Sequence, residues 1–357
     1  HMKYLQILLF LVFCFSDIAQ AKLWRVNNNT DFIGGETTPC DHCFSSLQNA
    51  INSSDVLPGD TLYVEASAQS YGNITLNKPL TIVGTGYLLK ENTEIQYSTL
   101  SSQLGRLTLK TGADGSVLSG LILDDNYVGV TLELKQNEYF KELTITRSLI
   151  RAIHFYANDE LYDFKNISIT KCMILNDVVL NDYDDVKISN LELRNNIIGG
   201  DVEVGKYCTG SISQNVIEGG VEFSAGIDFF NNIVTSNSTS LAENDNSSSN
   251  IYNNMFLIQR PTWLSGGDNQ FGVNMATVFP AAGNTEDRYK PFASCSKCQK
   301  GYKASGANNK EIGIYGGIDP YVKAGVPAIP TIYDFKLKTT SFPRDTIDVQ
   351  ISTKTHK

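Results

Sequence analysis

The chain has 357 residues, a formal net charge of −9 and 41% hydrophobic residues. That acidity argues against nucleic acid and anionic membrane surfaces as partners, and fits poorly with capture of polyanionic substrates. The length is large for one compact globule and suits one elongated repeat domain.

Met2 and Lys3 precede an apolar run from Leu5 to Phe15, and Ala19-Gln20-Ala21 follows. A charged start, an apolar middle and a small-residue site read as a secretory signal cleaved before Lys22, which places the mature protein outside the cell or at its surface. The run is too short to span a bilayer, and no later segment is apolar enough to do so. Cys14 follows bulky Phe13, against a lipidation site, and His1 ahead of Met2 resembles a cloning remnant. The expected organisation is 1–21 signal peptide, 22–60 N-terminal strand and capping helix, 61–257 repeating coils, 258–310 irregular segment, and 311–357 closing segment with a β-hairpin.

Phe44, Leu47, Ala50 and Ile51 keep helical spacing behind Asp41, a candidate N-cap. A short helix there would cover the open end of a solenoid, whose edge otherwise invites aggregation. Less regular coils are expected at Thr61 to Val64, Leu80 to Val83, Leu107 to Leu109, Leu118 to Leu123 and Val128 to Leu134. From about residue 140 one phrase recurs: an alternating strand, a small polar residue, then two apolar residues. Leu143-Thr144-Ile145-Thr146-Arg147-Ser148-Leu149-Ile150 is one instance and Leu191-Glu192-Leu193-Arg194-Asn195-Asn196-Ile197-Ile198 another. The polar position falls on Ser148, Cys172, Asn196, Asn215, Asn232 and Asn254, a period of roughly twenty residues that signals a solenoid. A second alternating strand follows each phrase, as at Ile153 to Phe155 and Val202 to Val204. Two or three strands per turn predict an all-β, right-handed parallel β-helix of about nine or ten coils, rather than a leucine-rich repeat. Asn196, Asn215, Asn232 and Asn254 would then form a hydrogen-bonded ladder at one corner. Ile332 to Lys338 and Ile347 to Thr353 read as a hairpin lying against the C-terminal coils.

Cys40, Cys43, Cys295 and Cys298 form two CxxC pairs. Local disulfides suit an exported protein; reduced thiols and a zinc site assisted by His42 are the alternatives. About nine coils of about 4.8 Å would hold the two pairs roughly 40 Å apart, so they could meet only if 258–310 folds back along the solenoid. Cys172 takes a ladder position as a buried thiol.

Several runs carry a family resemblance. Phe44-Ser-Ser-Leu-Gln-Asn-Ala-Ile51, Pro58-Gly-Asp-Thr-Leu-Tyr-Val64 and Ile74-Thr-Leu-Asn-Lys-Pro-Leu-Thr-Ile-Val-Gly84 resemble the opening of pectate-lyase-like right-handed β-helix proteins. Glu311-Ile-Gly-Ile-Tyr-Gly-Gly317, Pro320-Tyr321 and Pro327-Ala-Ile-Pro330 resemble the end of secreted β-helix repeat proteins common in Bacteroidetes. The resemblance implies the fold; its members include lyases, hydrolases, esterases and proteins without assigned activity.

Outward residues of the second strand give one column, Thr131 or Glu133, His154, Val179, Glu203 and Glu222, flanked by Asp177 and Asp201. Glu203 and Glu222 on adjacent coils would stand about 5 Å apart, a spacing suited to a retaining carboxylate pair. Asp177, Asp201 and Glu203 could instead hold Ca2+; no other cofactor is expected. Arg147, Lys171 and Arg194 form a candidate basic stripe for a lyase, and His154 a candidate base. Tyr71, Tyr87, Tyr127, Tyr156, Tyr162 and Tyr183 are candidate sugar-stacking residues. Ordinary solvated strand faces give the same polar pattern. The leading reading is a binding or scaffold protein for extracellular polysaccharide or a surface protein; the alternatives are a polysaccharide lyase or glycoside hydrolase, and a structural adhesin.

Overall fold

A computed structural model describes residues 21–29, 42–124, 130–133, 139–155, 162–180, 186–223, 226–237, 250–262, 264, 267–281, 283, 285–300, 311–338 and 348–355. Among these residues the chain is all-β with little helix. Three sheets of eleven, eight and seven strands take almost all of the strands. We call them sheets A, C and B, in the order the chain visits them. One pass runs through Leu143–Thr146 in sheet A, Leu149–Ile150 in sheet C and Ile153–Phe155 in sheet B. The next pass pairs with it in parallel at every level. Each pass is thus one rung laid on the last, an arrangement compatible with a parallel β-solenoid.

Alternation decides what points inward. Leu143 and Ile145 are buried while Thr144 and Thr146 face out, and Ile167, Ile169, Leu191 and Leu193 repeat the pattern. Between sheets A and C the chain turns sharply at one residue in the left-handed region: Arg147, Lys171, Asn195, Gln214, Asn231 and Asn253, with φ between +52° and +58°. The next residue is the ladder position. Asn215 Oδ1 accepts the backbone N–H of Asn196 (2.9 Å), and its Nδ2 donates to the Leu193 carbonyl (2.8 Å). Asn232 and Asn254 repeat these bonds. Asn269, which the sequence pattern does not suggest, extends the ladder by one rung, accepting from Asn254 N (3.0 Å). At the other end Ser148 Oγ accepts from Leu121 N.

Cys172 sits in the ladder column, fully buried, its thiol pushed up to about 12 by burial. Cys208, also buried, is pushed up to about 11. A thiol titration should find neither reactive in the native protein and both reactive after denaturation, because the thiolate is the nucleophile.

The ends are closed differently from the expectation. The helix is Leu47–Asn52, capped by Ser46 rather than Asp41, which lies outside the described residues. Leu47, Ala50 and Ile51 pack on the core. The Gln48 amide accepts from Thr75 N (2.7 Å) and donates to Thr75 O (3.1 Å), so a side chain occupies the open edge of sheet B. At the far end Phe271 stacks on Phe256 with ring centroids 5.0 Å apart, and Phe256 on Phe229 at 6.2 Å.

In six of the eight sheet C strands, from Leu149–Ile150 to Met255–Phe256, both residues are buried. Ile150, Ile174 and Ile198 enter the solenoid core. Leu149, Met173, Ile197, Val216, Ile233 and Met255 face outward, into a second apolar cluster supplied by Val273, Val278, Tyr289, Ile312, Ile314 and Tyr321. The segment after Phe256 therefore folds back over sheet C. From residue 311 it runs as a strap toward the N-terminal rungs. Gly313 N donates to Asn231 O, Asn195 Nδ2 to Ile314 O and Gly316 O, and Arg147 to Val326 O. Gly86 and Gly120 let it come close: an added Cβ would stand 2.5 Å from Ala324 O and 2.4 Å from Pro327 Cγ.

The hairpin, Pro330–Lys338 with Asp348–Thr355, is therefore delivered to the N-terminal rungs and not to the C-terminal coils as expected. There Tyr97 N donates to Ile332 O (2.8 Å) and Lys354 Nζ to Glu94 O (3.0 Å).

Candidate functional site

Sheet B puts the acidic residues in register. Thr131, His154, Val179, Glu203 and Glu222 succeed one another across neighbouring strands, with Glu203 directly opposite Glu222 and both exposed. Glu133 pairs with Lys110 at the edge of the adjacent column. Partial burial first, then the charges of Glu222, Asp201 and Asp177, raise the Glu203 carboxyl above its ordinary value. His154 is half-buried two rungs from Glu203, across Val179, and does not join it.

Asp177 and Asp201 are engaged in the turn. Asp177 Oδ1 accepts Asp201 N (2.8 Å), and Asp201 Oδ1 accepts Gly220 N (2.5 Å). Each carboxylate therefore tethers the turn of the following rung. No three His, Cys, Asp or Glu side chains among the described residues are gathered to hold a metal ion, so the calcium expectation at Asp177, Asp201 and Glu203 meets no assembled ligand set. Cys295 and Cys298 are joined as a disulfide, and Cys43 is also disulfide-bonded, which removes those thiols as zinc ligands; Cys40 lies outside the described residues.

The basic stripe is divided. Arg147 and Lys171 share the corner column, but Arg194 pairs with Thr170 in the neighbouring one. The strap covers the first two: Arg147 is 6% exposed and donates to Val326 O, while Lys171 is 5% exposed and paired with Asp319. Both cations fasten the strap and present no open stripe. Arg194 instead bonds Glu192 Oε1 through Nε (2.7 Å) and reaches Asp319 O.

Glu192, but not Arg194, lines a groove that the sequence pattern does not single out. The long strands of sheet A bend at Glu142, Asn166 and Asn190, which lie in the left-handed region at the same level on neighbouring strands, with the register unchanged on either side. Asn tolerates that conformation better than most residues, and one left-handed residue inside a strand turns its direction. Repetition in successive rungs turns the bend into a groove of about 540 Å3. Gly115, Glu142, Asn166 and Asn190 form its wall, and Val117, Thr144, Ser168, Glu192 and Ser211 its floor. Asn190 Nδ2 donates to Asn166 Oδ1 (2.9 Å), and Ser168 Oγ to Glu192 Oε2 (2.6 Å). Glu192 is partly desolvated, which opposes ionisation, but Ser168 and Arg194 outweigh this and hold its carboxyl below the ordinary value. It is a fixed acceptor. Beyond the groove the floor column continues through Asp228 and Asn250, whose side chains hydrogen-bond at 2.7 Å. The neighbouring column ends in Phe230 and Tyr252, stacked at 5.0 Å.

Of the candidate stacking tyrosines, Tyr87 is fully buried, and the half-buried Tyr71 donates its hydroxyl to the carbonyls of Val26 and Glu65. Tyr162 opens a sheet A strand. Tyr127, Tyr156 and Tyr183 lie outside the described residues. No protein-family model matches the sequence, and no significant match to a curated protein or a solved structure is found.

Proposed function

We propose that the chain is an exported right-handed parallel β-helix of the pectate-lyase-like kind, and that it binds an extracellular glycan along the outward face of sheet A. The observation that carries this reading is the groove at the bend, where the rungs of Glu142, Asn166 and Asn190 each present a polar side chain at the same level. Neighbouring rungs stand about 4.8 Å apart, so amides, hydroxyls and one fixed carboxylate recur at regular intervals beneath an extended polymer. A hydroxyl-rich chain can both donate to Glu192 and exchange hydrogen bonds with Asn166, Asn190, Thr144 and Ser211. The acidic net charge favours neutral or cationic glycans over a uronate polymer.

The test is a glycan panel read by calorimetry on the parent protein, Asn166→Ala/Asn190→Ala and Glu192→Gln. A hydrogen bond to a charged group contributes about 1.5–3 kcal/mol, so Glu192→Gln should weaken binding roughly ten- to hundredfold. Variants that bind like the parent would refute the placement of the glycan.

A second reading rests on Glu203 and Glu222. Their register and the raised Glu203 carboxyl favour hydrolysis of a glycosidic bond on sheet B. Release of reducing ends that disappears in Glu203→Gln would establish it; binding without products would dismiss it.

A further inference from the structure

The hairpin stands away from the outward face of sheet A at the first rungs and leaves a cleft of about 630 Å3 beneath it. Arg25, Tyr63 and Glu65 form the floor, Gln96 and Tyr97 line one wall, and Ile332 and Phe335 the other. The walls are joined by the main-chain bond from Tyr97 N to Ile332 O, so the cleft is built from backbone and not only from side-chain contacts. The rings of Tyr97 and Phe335 meet at 6.1 Å, tilted by 58°, and stay open to solvent at 64% and 37% exposure. Below them Arg25 Nε bonds Glu65 Oε1 at 2.6 Å, and Glu65 Oε2 accepts from Asn27 Nδ2 at 2.8 Å.

We infer that this cleft is a second sugar subsite, which takes one hexose ring against Tyr97 and Phe335 while its hydroxyls meet Arg25, Glu65 and Gln96. The inference rests on the reading of the protein as a glycan binder and adds a contact which that reading does not need. The chemistry of the walls narrows the occupant. Large aromatic rings exposed beside polar groups suit ligands with one apolar and one polar face. A purely apolar ligand would cover the Arg25–Glu65 pair without replacing its water, which is costly. A polyanion would meet Glu65 in a chain of net charge −9. A pyranose offers C–H groups to the rings and hydroxyls that both donate and accept.

Its position continues the groove. Tyr63, Val83, Ser119, Thr146, Thr170 and Arg194 occupy one column on successive strands, half-buried except at the buried Ser119 and Thr170, from the cleft to the neighbour of Glu192. Five steps of about 4.8 Å separate the ends, roughly 24 Å. A short oligosaccharide can occupy one subsite, whereas a chain of several hexoses can reach both. Two linked contacts then raise affinity beyond either alone.

The experiment uses neutral di- to octasaccharides of the gluco, manno and xylo series, titrated into the full chain, Tyr97→Ala, Phe335→Ala and Tyr97→Trp. Affinity should rise with length in the parent. Tyr97→Ala and Phe335→Ala should lower octasaccharide affinity about three- to tenfold, the loss expected for one stacked ring. Tyr97→Trp should retain the affinity, and its new indole should change emission when octasaccharide is added. Tyr97 is the more exposed of the two rings, so its replacement also serves if Phe335→Ala disturbs the hairpin. Unchanged affinity in Tyr97→Ala with a silent Trp, while Asn166→Ala/Asn190→Ala still loses binding, overturns this subsite alone. A parent protein that binds no member of the series overturns it together with the reading beneath it.

Discussion

Asn215→Ala is expected to be among the most destabilising single changes in the chain, although it removes only a small polar side chain. Asn215 is fully buried. Its loss takes the acceptor from the Asn196 N–H (2.9 Å) and removes one donor each from the Leu193 carbonyl (2.8 Å) and Asn232 Oδ1 (2.9 Å). Each buried group left without a partner costs about 1–3 kcal/mol, so the total should reach about 3–5 kcal/mol. Denaturant unfolding measures it. Asn269→Ala, at the last rung of the ladder, has one ladder neighbour where Asn215 has two and should cost about half as much in the same assay, because repeat stability is a sum over neighbouring interfaces. Asn215→Asp separates the donor role from the acceptor role. The carboxylate can still accept from Asn196 but would face the Leu193 carbonyl and Asn232 Oδ1 with no proton to offer. It should therefore be at least as damaging as Ala at neutral pH and recover as the carboxyl protonates in acid. Equal midpoints for the parent and Asn215→Ala would mean the ladder is incidental to stability.

The ladder was legible because its spacing combines two physical demands: a corner that needs a left-handed residue, and an interior that needs each polar group paired. Asn meets both, and repeated Asn-Asn steps expose the period directly. Legibility stopped where a role depends on what lies above a residue. The paired apolar residues of sheet C carried a second message. Only one of each pair can face the interior, so Leu149, Met173, Ile197, Val216 and Ile233 needed an outer cover, which the segment after Phe256 provides. Reading the pair only as a repeated phrase, without asking which face each residue takes, concealed the strap, and with it the burial of Arg147 and Lys171 and the placement of the hairpin. The offset of Arg194 by one position has the same origin: counting from strand ends placed it beside Lys171, whereas the register pairs it with Thr170.

The acidic column illustrates the opposite case. Period-two alternation on short strands fixed Glu203 opposite Glu222 without any knowledge of loops. The sheet A groove depends on a break in the alternation, a left-handed residue at Glu142, Asn166 and Asn190 in phase on neighbouring strands. A reading by strict alternation treats such a residue as the start of a new strand. The signal was present in the recurrence of Lys141-Glu142-Leu143, Lys165-Asn166-Ile167 and Ser189-Asn190-Leu191, a polar pair where alternation allows one polar residue.

Glu286→Ala should loosen the strap at its N-terminal anchorage, with an effect comparable to loss of the ladder. Glu286 is fully buried. Its oxygens accept the Tyr321 hydroxyl (2.6 Å), Asn92 Nδ2 (2.9 Å) and Ala324 N (2.8 Å). Since the Tyr321 proton goes to the carboxylate, Tyr87 must donate in the hydroxyl contact between the two tyrosines. Truncation strands three buried donors, at a cost of about 3–5 kcal/mol. Burial first, only partly offset by these hydrogen bonds and by Lys323, raises the Glu286 carboxyl above its ordinary value. With the folded value above the unfolded one, the folded state binds the proton more tightly. This group's contribution is therefore full below the unfolded value and declines as pH rises through the folded one. Glu286→Gln keeps an acceptor for Asn92, and its amide N–H can donate to Tyr321, reversing the hydroxyl chain toward Tyr87. It should cost less than Ala and flatten the pH dependence of unfolding in that window. The parent and Glu286→Gln, compared by denaturant midpoint across that window, decide the matter: parallel curves would show that the carboxyl does not titrate differently on folding, and a Glu286→Ala protein as stable as the parent would show that the strap is held elsewhere.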